Sequence, residues 1–307
     1  MTNIKLTTVT LSPVIDIHYQ FEEFRTESEN NAASVIKNAA GKGINISRAL
    51  SSFGVPCRTM ALLGRENADS YLKMLEKDGV SCEYVLADGS VRESVSLNAC
   101  GMNETRILTD TFNPGKDCFA NLMYDVNLYS ADNSYIAISG RIPKSIHKSD
   151  FIAECKKLNG RLVLDTASLS AEELADVSPW LIKPNQNEAN DLLGISCDAA
   201  CGLPAARLLL QKKCASNVII SLGKDGFVYA GEYGEAVVKV PETEVKATVG
   251  AGDSTIAGIL FGIYNNFNFF DCLKTGAAFG SAACLEYGTV PPSRDNVIKI
   301  LSQIVLK

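Results

Sequence analysis

Strand-like and helix-like runs alternate along most of this chain, and that alternation leaves few folds open to it. Ile4 to Leu11 reads as a strand, and Ile44 to Phe53 as a helix with Ile46, Ala49, Leu50 and Phe53 on its apolar positions and Gly54 as its stop. Arg58 to Leu63 predicts a second strand and Asp69 to Lys77 a helix ended by Gly79. Tyr135 to Ser139, Arg161 to Asp165, Trp180 to Lys183 and Val218 to Leu222 are further short apolar runs with helical stretches between them. Strands separated by helices pair side by side, so the pattern predicts a mostly parallel sheet with helices on both faces. The 307 residues suffice for one large α/β unit, and 46% hydrophobic with 21% charged residues suits a chain with a sizeable core.

Two segments break the rhythm. Val14 to Arg25 and Ser90 to Thr111 carry strand-like alternation with no helix between, as hairpin-like insertions. Paired with each other they would make a small sheet over one edge of the main body, either a lid over a site or protection for that edge.

Thr248-Val249-Gly250-Ala251-Gly252-Asp253-Ser254 concentrates the chemistry. Val245, Ala247 and Val249 alternate with polar residues before it and predict a strand; Ile256, Ile259, Leu260 and Ile263 follow at helical spacing. Small residues at 250 to 252 let backbone amides approach an anion at the positive end of the helix dipole. Asp253, in the first turn, would stand beside that anion as a base for an attacking hydroxyl. A plain helix start, capped by Asp253 or Ser254, accounts for the same residues.

Three further segments enter helices or turns. In Asn38-Ala39-Ala40-Gly41-Lys42-Gly43-Ile44-Asn45 the glycines give a tight turn, Lys42 a point charge, and Asn45 both a donor and an acceptor for a polyol. Lys183-Pro184-Asn185-Gln186-Asn187-Glu188 has Asn185 and Glu188 at capping-box spacing, and the same pair suits hydrated Mg²⁺ near phosphates. Ser221-Leu222-Gly223-Lys224-Asp225-Gly226 is explained by turn chemistry alone. No Gly-Lys pair is followed by Ser or Thr as in a P-loop, and no G-x-G-x-x-G turn follows the first strand.

The formal net charge of −6 argues against a nucleic-acid or anionic-membrane surface, so an anionic substrate must be met by a local cluster of cations. The N-terminus has no signal-peptide pattern, and no apolar stretch approaches ~20 residues; the expected setting is cytoplasmic. Ten scattered cysteines without C-x-x-C spacing predict reduced, mostly buried thiols. With only His18 and His147, a histidine-rich metal site or a Ser-His-Asp triad has little material.

Taken in order, the 8–16 segment Thr-Val-Thr-Leu-Ser-Pro-Val-Ile-Asp, the Ala-Ala-Gly-Lys-Gly-Ile-Asn stretch, Lys-Pro-Asn-x-x-Glu, Ser-Leu-Gly-Lys-Asp-Gly and Thr-Val-Gly-Ala-Gly-Asp-Ser resemble the ribokinase-like (phosphofructokinase-B) sugar kinases. Within them they resemble the 1-phosphofructokinase and tagatose-6-phosphate kinase branch, over nearly the whole chain. The resemblance implies a ribokinase-like three-layer α/β/α core with a mostly parallel sheet, read as one domain over 1–307. It also implies a discontinuous β-lid, here from about 14–37 and 90–112, through which a homodimer forms.

The activity implied is ATP- and Mg²⁺-dependent phosphorylation of a sugar phosphate, fructose 1-phosphate to fructose 1,6-bisphosphate first among the acceptors. Tagatose 6-phosphate, fructose 6-phosphate, an unphosphorylated sugar or nucleoside, and a non-catalytic binding role stay open as alternatives. Carried over by motif, Asp253 is the base and Gly250, Ala251 and Gly252 supply the anion-holding amides. Asp16, Gly41, Lys42, Gly43 and Asn45 hold the sugar phosphate, with Arg92, Ser139 and Arg141 on the same side. Lys183, Asn185, Ser221, Gly223, Gly226 and Thr248 border ATP, and Glu188 organises Mg²⁺ through water. This sequence departs from the family on the sugar side: Ser12-Pro13 stands for Asn-Pro, Arg92-Glu93-Ser94 for Arg-x-Asn, and Ser139-Gly140-Arg141-Ile142-Pro143 for Ser-Gly-Ser-Leu-Pro. Losing an asparagine amide removes a bidentate partner for sugar hydroxyls, and gaining Arg141 adds a cationic fork suited to phosphate.

Overall fold

The computed structural model describes residues 4–101, 105–109, 112–196 and 198–307; parts of the 90–112 segment, and Cys197, lie outside the described residues. The strands are β1 (Lys5–Thr10), β2 (Val14–Phe21), β3 (Ser34–Ala40), β4 (Arg58–Gly64), β5 (Cys82–Ala87), β6 (Arg92–Ala99), β7 (Thr105–Leu108), β8 (Ser134–Ser139), β9 (Arg161–Asp165), β10 (Leu181–Ile182), β11 (Asn217–Ser221), β12 (Phe227–Gly231), β13 (Gly234–Lys239) and β14 (Val305–Leu306). The α-helices are α1 (Lys42–Ser52), α2 (Ala68–Lys77), α3 (Lys116–Leu128), α4 (Lys148–Cys155), α5 (Ala171–Val177), α6 (Gln186–Leu193), α7 (Gly202–Gln211), α8 (Ala251–Tyr264), α9 (Phe269–Ala283) and α10 (Arg294–Leu301).

Ten strands form the main sheet in the order β14-β13-β12-β11-β10-β9-β8-β1-β4-β5. From β11 to β5 every pair is parallel, and β12, β13 and β14 add an antiparallel edge. Alternation along each strand divides the core into two layers. On β8, Ile136 and Ile138 pack with Phe119 and Met123 of α3 and Phe151 of α4, while Tyr135 and Ala137 pack on the opposite face with residues of α8 and α9. Every residue of β8 is buried, as a central parallel strand covered on both sides requires. This is the three-layer α/β/α architecture the sequence predicts.

A second sheet has the order β3-β2-β6-β7. Its β2 and β6 are parallel, with Asp16 opposite Ser94 and His18 opposite Ser96, and β7 runs antiparallel to β6. Ile15 and Ile17 on one face of β2 join a third core cluster with Tyr71 and Leu75 of α2, so Asp16 and His18 stand on the other face.

Two expectations need correction. The residues from Val245 to Val249 form no strand; Lys246 and Ala247 instead donate their amides to Cys284 O, and Val245 is exposed. Three small alternating residues bury too little apolar surface to hold a strand where no sheet edge receives them. Among the cysteines, Cys201 is in a disulfide, whereas eight are free thiols, of which Cys155, Cys214 and Cys272 are buried. No helix among the described residues is long and apolar enough to cross a membrane.

Candidate active site

The site stands at the C-terminal ends of the parallel strands, where open α/β sheets leave a crevice. A cleft of about 1620 Å³ runs from the second sheet, past the ends of β8, β9 and β10, to the β11–β12 turn and the start of α8. Its volume exceeds the roughly 300–1,000 Å³ of a single small-ligand pocket and leaves room for two substrates side by side.

Asp253 lies in the first turn of α8 and is 5% exposed. Gly250 precedes the helix with φ 81°, a left-handed value that turns the chain sharply into α8. The first amide to close the helix is that of Ser254, onto Gly250 O at 2.8 Å. The amides of Gly252 and Asp253 just before it belong to the set that a helix start leaves free for a ligand. A Cβ on Gly252 would lie 2.9 Å from Lys183 Nζ, so the absence of a side chain there lets the ammonium reach the turn.

Five buried or half-buried groups share one electrostatic field. Asn45 Nδ2 donates to Asp253 Oδ2 at 2.7 Å, Lys42 Nζ donates to Asp165 Oδ2 at 3.1 Å, and Lys183 Nζ is 3.8 Å from Asp165 Oδ1. Burial, and then repulsion from Asp165, push the Asp253 carboxyl up to about 6, against the hydrogen bond from Asn45 and the charges of Lys42 and Lys183. Burial pulls the Lys42 ammonium down, but the charges of Asp165, Asp253 and Glu188 outweigh it and hold Lys42 above the usual lysine value. The result is a carboxylate poised near neutrality next to helix amides and two cations. Such a set has the chemistry to accept a proton and to stabilise an anion.

On the second sheet, Asp16 is buried, with His18 Nε2 donating to its Oδ2 at 3.1 Å and Arg106 Nη2 at 3.6 Å from its Oδ1. Burial works to raise the Asp16 carboxyl; His18, Arg106 and Ser94 together bring it below the usual value. Arg92 and Arg141 line the same end of the cleft. At the other end, Asn185 caps α6: its Oδ1 accepts from Glu188 N at 2.9 Å and its own amide donates to Glu188 Oε2 at 2.8 Å. Ser221 N donates to Pro184 O, tying this loop to the β11 end and the Gly223 to Gly226 turn.

Of the residues singled out from the sequence, Asp16, Gly41, Lys42, Asn45, Arg92, Arg141, Lys183, Asn185, Glu188, Ser221, Gly223, Gly226, Thr248, Gly250, Ala251, Gly252 and Asp253 all line this cleft. Gly43 and Ser139 do not. Gly43 is buried against β1, where a Cβ would lie 2.5 Å from Thr10 Oγ1 and 2.7 Å from Val9 O; it lets α1 approach that strand. Ser139 is buried at the end of β8, its Oγ without a hydrogen-bond partner among the described residues.

Sequence reading missed Asp165, His18 and Arg106. For Asp165 a signal existed: it ends a predicted strand with a charge at the edge where parallel sheets bind ligands. For His18 a signal existed too: two residues from Asp16 in a strand-like segment, it shares that residue's face. For Arg106 none did, since it reaches Asp16 from another strand.

Comparison with known proteins agrees with this geometry. The sequence matches the pfkB family carbohydrate kinases over residues 9–296. The chain belongs to that family. It is 31% identical to a 1-phosphofructokinase of Borreliella burgdorferi, with 97% of this chain and 96% of the relative covered. It is 26% identical to a 1-phosphofructokinase of Vibrio cholerae, with 98% and 96% covered. The structure of phosphofructokinase-2 from Escherichia coli in complex with potassium superposes with a TM-score of 0.89 at 23% identity, covering 98% of this chain and 99% of that one. As a member of a carbohydrate kinase family, the protein is a phosphotransferase whose acceptor is a sugar hydroxyl.

Proposed function

We propose that this kinase transfers the terminal phosphoryl group of ATP to fructose 1-phosphate, giving fructose 1,6-bisphosphate. The observation that carries the reading is Asp253: a buried carboxyl at a helix start, with a pKa near 6, bonded to Asn45 and facing a cleft whose far wall bears arginines. The names of the full-length relatives, 1-phosphofructokinases, support the acceptor.

In this reading Asp16, Gly41, Lys42 and Asn45 orient the sugar phosphate, together with Arg92 and Arg141, so that one hydroxyl points at Asp253. Asp253 takes its proton as the hydroxyl attacks in line, and the amides at Gly250 to Gly252 hold the charge of the migrating group. Gly43 and Ser139 support this side from beneath. Lys183, Asn185, Ser221, Gly223, Gly226 and Thr248 border the nucleotide.

Glu188 and Asn185 would hold Mg²⁺ through its waters, and the ion supplies neutralisation of phosphate charge when bound. The residues fit that ion: Glu188 and Asn185 both line the cleft with side-chain oxygens, and Mg²⁺ needs only one or two protein oxygens. The second sheet would act as a lid on a single kinase domain. Its exposed Val35, Ile36 and Ile107 support pairing of two chains through it. A cytoplasmic setting accords with the eight free thiols.

An ADP-release assay with fructose 1-phosphate, fructose 6-phosphate, tagatose 6-phosphate, fructose and adenosine tests the acceptor. The highest kcat/KM is expected with fructose 1-phosphate. A higher value for an unphosphorylated acceptor rejects the reading.

A further inference from the structure

Arg48 lies on α1 one turn after Asn45, is 2% exposed and does not itself line the cleft. Its Nε donates to Asp78 Oδ2 at 2.6 Å, at the C-terminal end of α2, and its Nη1 donates to Thr289 O at 2.9 Å, 241 residues along the chain. A guanidinium taken out of water must be paired, yet an apolar side chain of similar volume often serves stability as well as a buried ion pair does. Stability alone is therefore a weak reason for an arginine here. The loop it holds, between α9 and α10, supplies a stronger one.

That loop touches the site at two consecutive residues. Thr289 lines the cleft and packs behind the turn into α8: a Cβ on Gly250 would lie 3.7 Å from Thr289 Cγ2 and 3.8 Å from its Cα. Thr289 Oγ1 is buried with no hydrogen-bond partner among the described residues, so the residue is fixed through its backbone carbonyl, the group that Arg48 holds. Gly288 has φ 69°, and a Cβ there would lie 2.7 Å from His18 Nε2, so its bare backbone lies against the imidazole that donates to Asp16. One buried cation thus sets the wall behind the α8 turn and the surface on which His18 rests.

We propose that Arg48 is a positioning residue of this kinase: by fixing Thr289 O it keeps the Gly250 turn and the His18 with Asp16 pair in register across the cleft. The proposal deepens the kinase reading above and rests on it for the roles of Asp16, Gly250 and Asp253.

The test compares steady-state kinetics with ATP and fructose 1-phosphate for wild type, Arg48→Met, Arg48→Lys and Arg294→Met, each at a temperature where thermal unfolding shows it folded. Arg294 is the control, because it fastens the other end of α1 through Ser52 O, to which its Nε and Nη2 donate at 3.2 and 3.0 Å. Arg48→Met is expected to lower kcat about tenfold or more, since small misplacements of reacting groups are costly. It is also expected to raise KM for fructose 1-phosphate, while KM for ATP stays near wild type. Arg48→Lys, one ammonium for two partners, recovers part of kcat. Arg294→Met lowers the melting temperature and leaves kcat and both KM values near wild type. A folded Arg48→Met with wild-type kcat and KM overturns the proposal, and so does an Arg294→Met that loses as much kcat. If Arg48→Met fails to fold, Arg48→Lys carries the comparison: a smaller loss of kcat in a folded variant supports the assignment, and wild-type kinetics overturns it. Asp253→Asn tells the two readings apart. Near-wild-type turnover in that variant defeats the site reading, whereas an inactive Asp253→Asn beside an unimpaired Arg48→Met rejects Arg48 alone.

Discussion

Asn45 Nδ2 and Asp253 Oδ2 are 2.7 Å apart although 208 residues separate them, and this bond joins the starts of α1 and α8. It is a donor to the ionised form of Asp253, so it opposes the burial that favours the protonated one. Asn45→Ala is therefore expected to move the acid limb of the kcat/KM profile above its wild-type position near pH 6. Turnover at pH 7 falls with it, by about tenfold, since a smaller share of the base is ionised and its orientation is lost. An unmoved acid limb refutes the coupling.

Asp253→Asn separates catalysis from stability. Removing the base is expected to lower kcat by about 10²-fold or more. The folded-state pKa of Asp253, about 6, lies above the ordinary carboxyl value of 3.8, so the folded chain binds the proton more tightly than the unfolded one. That contribution is full below the ordinary value and disappears as pH rises through 6, leaving a buried charge that destabilises the fold above that pH. Asparagine carries no charge, so the variant is expected to melt higher than wild type at pH 8 and to lose that advantage at pH 4. Thermal unfolding at the two pH values checks it.

Asp165 acts on Asp253 with the opposite sign to Asn45. It raises the Asp253 carboxyl by like-charge repulsion, so Asp165→Asn is expected to shift the acid limb to lower pH. Turnover on the plateau still falls, because Lys42 and Lys183 lose the carboxylate that seats them. A pH profile that moves upward contradicts this account.

Gly43→Ala tests the packing that delivers Lys42 and Asn45 to the cleft. The added methyl would lie 2.7 Å from the carbonyl oxygen of Val9, a backbone atom that cannot swing aside. A loss of ~1–3 kcal/mol in unfolding free energy is expected, the usual cost of overpacking. Denaturant titration measures it, and a variant as stable as wild type shows that the helix moves freely on the strand.

Six strands of the main sheet, β1, β4 and β8 to β11, were legible in the sequence because they are short apolar runs with helical stretches between, a local periodicity that needs no partner to be seen; β5 and the antiparallel edge β12 to β14 were not. The turn at Gly250 to Asp253 and the Asn185 with Glu188 capping box were legible for the same reason, since each lies within one stretch of chain. The Val245 to Val249 alternation misled because a strand exists only where an edge accepts its hydrogen bonds, and here Cys284 O takes the amides instead. Tertiary structure alone decided that Asp165 sits between two lysines, that Arg106 reaches Asp16, and that Asn45 meets Asp253. Electrostatic partners are set by strand order, strand register and the way helix starts meet at the strand ends, which bring together side chains up to 208 residues apart. A one-dimensional pattern records which residues face the core, whereas the pKa of a buried carboxyl depends on which charges the fold places around it.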